Sequence, residues 1–287
     1  ATTRNIQAEG ISYIKYRACD VAGNCSSYTD NKTIKIDNTP PTCQVTGGSS
    51  TWINASSSTT KRTITATCVD NGSKCDSTRA VISKDYSTDI NVTNAGAAGV
   101  GQGGTVYDNA GNAINCAANQ TGKIDKTAPT VPTISMYKWS NNSTTPSSAS
   151  GLSSYANDTW SNKNVYTVAS GSTDAMSGFK NYQFTTTGVT TNESNTVGTT
   201  RNIKAEGTSY IKYRACDNAG NCSGYSTDYT IKIDKTNPTA GTIKVNGSSE
   251  IKDWYTGNVT IEAVNGTDSL SFASAFESAG LLIIVPL

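Results

Sequence analysis

Three residue types in this 287-residue sequence stand where they can do chemistry: cysteine in close pairs, aspartate in a recurring turn, and tryptophan ahead of alternating segments. Among the eight cysteines, Cys19 with Cys25, Cys68 with Cys75 and Cys216 with Cys222 form local pairs. Zinc sites favour shorter gaps, of about two to four residues, and usually enlist histidine, which this chain lacks entirely. Disulfides formed in an oxidising compartment are therefore the expected use of these cysteines. The missing histidine also removes the commonest general base and nucleophile activator. With no nucleophile motif and no phosphate loop, the chain reads as non-enzymatic.

The aspartates recur in a fixed setting. Asp20-Val21-Ala22-Gly23-Asn24 is matched by Asp217-Asn218-Ala219-Gly220-Asn221 and by the more divergent Asp108-Asn109-Ala110-Gly111-Asn112. Gly and Asn tolerate positive φ, so this motif suits a tight connection between two strands. A second motif, Ile-Asp-x-Thr-x-Pro-Thr, follows each last strand at Ile36 to Thr42, Ile124 to Thr130 and Ile233 to Thr239. Its proline cannot donate to a ladder, so strand pairing stops there and the chain passes on.

The elements that must position these residues are strands. Thr, Val, Ile and 14 tyrosines favour pleated segments, and clusters of Gly, Asn, Asp and Ser separate them. Thr3 to Thr42 and Thr200 to Thr239 align without a gap at an offset of 197, with 30 of 40 positions identical. Such self-similarity means duplicated modules. Each copy reads as a strand (Tyr13 to Ala18, Tyr210 to Ala215), a turn, and a second alternating strand (Thr33 to Ile36, Thr230 to Ile233). Module beginnings repeat as well: Trp160 to Val165 resembles Trp254 to Val259, with Trp52 a looser relative. A tryptophan in that place is expected to plug a core rather than to bind sugar. Charged residues make up only 16% and the net charge is +1; without clustered Lys and Arg, neither nucleic acid nor an acidic membrane surface is expected as a partner.

Together, the Asp-x-Ala-Gly-Asn turn, the Ile-Asp-x-Thr-x-Pro linker and the module length resemble the bacterial immunoglobulin-like (Big-type) repeat domains of large surface proteins and adhesins. The resemblance covers nearly the whole chain and implies an all-β fold of tandem immunoglobulin-like β-sandwiches, arranged as beads on a string. On that reading residues 1–38 end one module, 39–126 and 127–235 are complete modules, and 236–287 open another. A hairpin without its partner sheet is marginal in water, so the incomplete ends are expected to be disordered or to dock on something unless a parent chain completes them. No signal peptide, wall-anchor motif or membrane span is recognisable, and the sequence is expected to be a piece of a longer secreted protein. Its last residues, 272–287, turn apolar and depart from the repeat, as at a truncated or frame-shifted gene end or, failing that, in a buried strand or aggregation-prone tail.

In an immunoglobulin-like sandwich the B–C and F–G loops share the pole that receives the incoming linker. The resemblance therefore implies two acidic clusters, Asp37 with Asp70 and Asp108, and Asp125 with Asp174 and Asp217. Oxygen ligands gathered from loops suit Ca²⁺, which in related rods stiffens the joints; the competing use of each aspartate is to cap its own turn. Cys43, Cys68, Cys75 and Cys116 map to the same pole. Pairing Cys68 with Cys75 and Cys43 with Cys116 is favoured, and a Cys43 to Cys68 bridge is nearly as good.

The resemblance points to a non-catalytic stalk of an extracellular, cell-surface protein, whose ligand, a host protein or glycan, is bound through other parts of the parent. The alternative is a carbohydrate-binding or spacer module of a secreted polysaccharide-degrading enzyme. Trp139 is its residue to inspect, because it precedes a Ser/Asn/Thr-rich insertion, Ser140 to Ser154, found in no other module.

Overall fold

The computed structural model describes residues 3–264 and 266–271, and all regular structure in them is β: twenty strands and no helix. The apolar tail lies outside the described residues. The chain divides into two compact units, the first comprising Ala1–Ala128 with Asp174–Gly178 and Asp217–Asn221, the second comprising the remainder.

In the first unit, Thr42–Thr46, Arg62–Val69 and Val81–Tyr86 form a three-stranded antiparallel sheet. Ile90–Ala95 pairs with Gln120–Ile124, and Thr105–Tyr107 with Ala113–Asn115. Alternation along Arg62–Val69 turns Ile64, Ala66 and Cys68 inward. They join Ile53, Tyr86, Val106, Cys116 and Ile124 in one core. Burial of such apolar faces, at about 25 cal/mol per Å² removed from water, is the main force holding the strands together.

The second unit contains two sheets that share a core, an arrangement consistent with a β-sandwich. One sheet runs in the order Ser153–Ser154, Thr133–Lys138, Val165–Ser170, Thr200–Ile203; the other runs Trp160–Ser161, Tyr229–Ile233, Gly207–Asp217, Phe179–Gly188, Glu193–Val197. Period-two alternation along Gly207–Asp217 buries Ile211, Tyr213 and Ala215. They meet Val165, Ala169 and Ile134 from the facing sheet.

The duplicated hairpins have one register and two environments. Gly10↔Ile36 through Ile14↔Lys32 repeats as Gly207↔Ile233 through Ile211↔Tyr229. Yet Ile14 and Tyr16 are 38% and 63% exposed, whereas Ile211 and Tyr213 are 1% and 0% exposed. The first strand is also shorter than its sequence predicts, stopping at Ile14, while its counterpart reaches Asp217. The counterpart has Phe179–Gly188 as a second neighbour; the first copy has no such neighbour among the described residues, and pairing on one side supports fewer residues.

Two of the three module-opening tryptophans depart from their expected role as plugs, while Trp52 is half-buried. Trp160 is 39% exposed and Trp254 90%. In the two-residue strand Trp160–Ser161, which pairs in parallel with Lys232–Ile233, it is Ser161 that turns inward. Ile53, after Trp52, holds the same inward place beside Ile124.

Candidate metal centres

Six aspartates singled out in the sequence lie in two groups of three, and five of them adjoin or end a strand. Asp37 follows Lys32–Ile36, Asp70 follows Arg62–Val69, and Asp108 follows Thr105–Tyr107. Asp125 follows Gln120–Ile124, Asp217 ends Gly207–Asp217, and Asp174 sits in the loop ahead of Phe179–Gly188. In each group one carboxylate oxygen per residue lies within 4.8 Å of the other two. All six residues belong to the first compact unit.

The local chain explains the placement. The glycines of the three turns, Gly23, Gly111 and Gly220, have φ of +92°, +94° and +97°, where a side chain is disfavoured. That bend lets the turn's Asn fold back on its Asp. Asp108 Oδ1 accepts the Asn112 backbone N–H and Oδ2 accepts Asn112 Nδ2, both at 2.8 Å. Asp217 and Asn221 repeat both bonds at the same lengths. Asn112 Nδ2 also donates to the carbonyl of Asp37, and Asn221 Nδ2 to that of Asp125, each at 2.9 Å. The turn is thus tied to the linker.

Each linker aspartate uses its oxygens separately. Asp37 Oδ1 caps the N–H of Thr39 at 3.1 Å, and Asp125 Oδ1 that of Thr127 at 3.0 Å. The other oxygen reaches into the loop, accepting the N–H of Ser73 at 2.5 Å or of Ser177 at 2.9 Å. These bonds to Ser73, first its backbone N–H and then its side chain, hold the Asp37 carboxyl below its ordinary pKa. Turn capping therefore occurs, and it leaves acceptor capacity unused, because an ionised carboxylate offers about four lone-pair sites.

The electrostatics are unbalanced. Asp108, Asp125 and Asp217 are fully buried, and none of the six enters an ion pair with Lys or Arg among the described residues. Two unit charges 4.8 Å apart repel by about 3 kcal/mol at an effective dielectric of about 20. Asp70 Oδ2 is buried without any hydrogen-bond partner, a costly condition for a carboxylate. Two oxygens each about 2.4 Å from one hard cation are at most about 4.8 Å apart, so this spacing admits a single ion among the three. The donors are all oxygen, which suits a hard cation rather than zinc or copper. Beside the first triad a cleft of about 580 Å³, walled by Glu9, Lys35, Asp37, Ser73 and Lys74, gives solvent access.

The structure joins Cys19 to Cys25, Cys68 to Cys75, Cys216 to Cys222 and, across 73 residues, Cys43 to Cys116. Cys19–Cys25 and Cys216–Cys222 close the acidic turns at their base. Trp139 is 2% exposed, and its indole N–H donates to Asn202 Oδ1 at 3.1 Å, so its ring offers no platform for sugar. Sequence reasoning missed Ser73, Ser177 and the two asparagines as partners of the acidic groups; the recurrence of Asn at the close of each turn was the available signal. No protein-family description matches the chain, and a search of curated proteins finds no similar sequence.

Proposed function

We propose that this chain is a non-catalytic structural segment of a secreted, cell-surface or adhesin-like protein, built from immunoglobulin-like sandwich modules whose linkers are locked by calcium. One observation carries the reading: two triads of corresponding aspartates, one each from linker, loop and turn, lie within 4.8 Å and have no ion pair to Lys or Arg among the described residues. A divalent ion offsets most of three like charges and supplies the missing partner of Asp70. Calcium suits the site because it accepts six to eight oxygens at flexible geometry, and backbone carbonyls or water complete such a shell. Four disulfides favour an oxidising, extracellular setting. A repeated module is an economical way to build length. The carbohydrate-binding alternative loses its leading residue with the burial of Trp139.

Calcium titration of the whole chain by calorimetry, with thermal unfolding in calcium and in chelator, tests the reading. Two ions per chain are expected, with a midpoint raised by roughly 5 to 10 °C at about 100 times the dissociation constant. The double variant Asp108→Asn, Asp217→Asn should abolish both effects. Absence of binding, with no midpoint shift, would return the six aspartates to turn capping alone.

A further inference from the structure

We infer that Asn71 is a site of spontaneous deamidation, and that its conversion to aspartate and isoaspartate disables the first acidic triad and spares the second. Asn71 and Gly72 lie between Asp70 and Ser73, in the bend that brings the loop carboxylate to the linker. In the reaction the Gly72 nitrogen, having lost its proton, attacks Cγ of Asn71. The new C–N bond closes a succinimide ring as the Cγ–Nδ2 bond breaks and ammonia leaves. Water then opens the ring at either carbonyl, giving aspartate or isoaspartate. Asparagine is thermolabile, and a following glycine, with no Cβ, leaves the attack unhindered. Water is the only co-reactant.

The loop supplies each requirement. Asn71 is exposed, and neither its side-chain amide nor the Gly72 N–H has a hydrogen-bond partner among the described residues. Lys74 Nζ donates to the main-chain carbonyl of Asn71 at 3.1 Å. A cation on that oxygen favours the deprotonated peptide nitrogen, which is the attacking form. Gly72 is held in place by packing, because a Cβ there would lie 2.5 Å from Asp37 Oδ2. The close approach of loop to linker thus imposes the very residue that opens Asn71 to attack. In the pair Asn246–Gly247, by contrast, Asn246 Oδ1 accepts the N–H of Thr260 at 2.8 Å, which holds the amide away from the following nitrogen.

The second triad is built without this weakness. Asp70-Asn71-Gly72-Ser73 corresponds to Asp174-Ala175-Met176-Ser177, and Ala175 has no amide to lose. Ala175 is exposed as well, beside a linker whose own hairpin is packed into a core, so exposure belongs to the position. Isoaspartate routes the main chain through the side-chain carbon and lengthens it by a methylene between Asp70 and Ser73. Ser73 is the residue that ties the triad together. Its N–H donates to Asp37 Oδ2 at 2.5 Å, its Oγ accepts the N–H of Ala110 at 3.1 Å, and its carbonyl accepts Asn109 Nδ2 at 3.0 Å. With Gly72 already hard against Asp37, the added length has no room on the linker side and displaces Ser73. Loss of ion binding at the first triad alone is the consequence, and this part of the inference rests on the calcium reading.

The test incubates the full 287-residue polypeptide in chelator at mildly alkaline pH and follows it by peptide mass mapping with isoaspartate-specific methyl labelling. Asn71 should convert ahead of Asn246, with isoaspartate the main product. Lys74→Gln should slow the conversion roughly two-fold, as expected for loss of an exposed charge. Asn71→Ala, which matches the second triad, should remove the label from this loop. Calcium calorimetry then compares fresh with aged chains. Ageing should weaken one of two sites roughly ten-fold or more, as when an outer partner of a metal ligand is displaced, and should leave both intact in Asn71→Ala. An Asn71 still in amide form after Asn246 has converted would overturn the inference, as would equal loss of binding on ageing in wild type and Asn71→Ala. Fresh chains that bind no calcium would overturn the consequence for the ion and the calcium reading with it, while conversion of Asn71 would stand on the mass map.

Discussion

At the scale of single residues, the three turns separate what a motif does by itself from what its surroundings add. Asn24 and Asn221 close turns that differ only at Val21 and Asn218, but Asn24 is exposed while Asn221 is buried and lies at the centre of a network. Asn221 Nδ2 reaches Asp217 Oδ2 and the Asp125 carbonyl at 2.8 and 2.9 Å, and its Oδ1 accepts the N–H of Ala55 at 2.8 Å. Each such bond contributes about 1 kcal/mol net, and more is lost when a buried partner is left unpaired. Asn221→Ala should therefore cost about 3 kcal/mol, and Asn24→Ala much less, as read from urea midpoints of the two variants. Equal effects would mean that the network around Asn221 adds nothing beyond the turn.

At the scale of elements, the disulfides differ in the length of chain they close. Cys43–Cys116 spans 73 residues and ties the strand Thr42–Thr46 to the segment following Ala113–Asn115. Cys216–Cys222 spans 6 residues at the base of one turn. Chain-entropy reasoning gives about 4 kcal/mol for the long loop and about 2 for the short one. Replacing Cys43 and Cys116 with alanine should lower global stability by about the first amount. Replacing Cys216 and Cys222 should lower it less, yet loosen Asp217 and weaken the calcium binding proposed for the second triad. Chemical denaturation and calorimetry on both pairs of variants check the ordering; a larger stability loss from the short loop would contradict it.

At the scale of the whole molecule, the charge inventory sets the response to pH. Carboxyls with depressed pKa include Asp37, held by the Ser73 N–H, Asp268, held by the N–H groups of Leu270 and Ser271, and Asp85, held by Lys61 and Thr63. A depressed carboxyl stabilises the fold above its unfolded pKa of about 4, and that contribution disappears as pH falls through the lower folded value. No histidine is present to titrate between. The thermal midpoint in chelator should thus be flat from about pH 5 to 8 and fall below about pH 4. On the proposed calcium reading, the decline in calcium should begin at higher pH, because protons and the ion would compete for the same oxygens. A midpoint that drifts across the neutral range would show that another group controls stability.

What the sequence determined by itself is local and periodic. The repeat at an offset of 197, the glycine at each positive-φ turn and the proline after each last strand place hairpins and linkers, because turn chemistry and period-two alternation act between near neighbours. The grouping of the six aspartates was legible only through a family resemblance, since their meeting depends on which loops share a pole. Tertiary structure decided the rest. Cys43 lies directly opposite Cys68 in the ladder, yet their sulfurs bond to Cys116 and Cys75. Tyr16 and Tyr213 share nearly the same flanking sequence, yet one is exposed and the other fully buried. Burial and side-chain partnership are settled by whichever strand arrives from far along the chain, and no local pattern encodes that arrival.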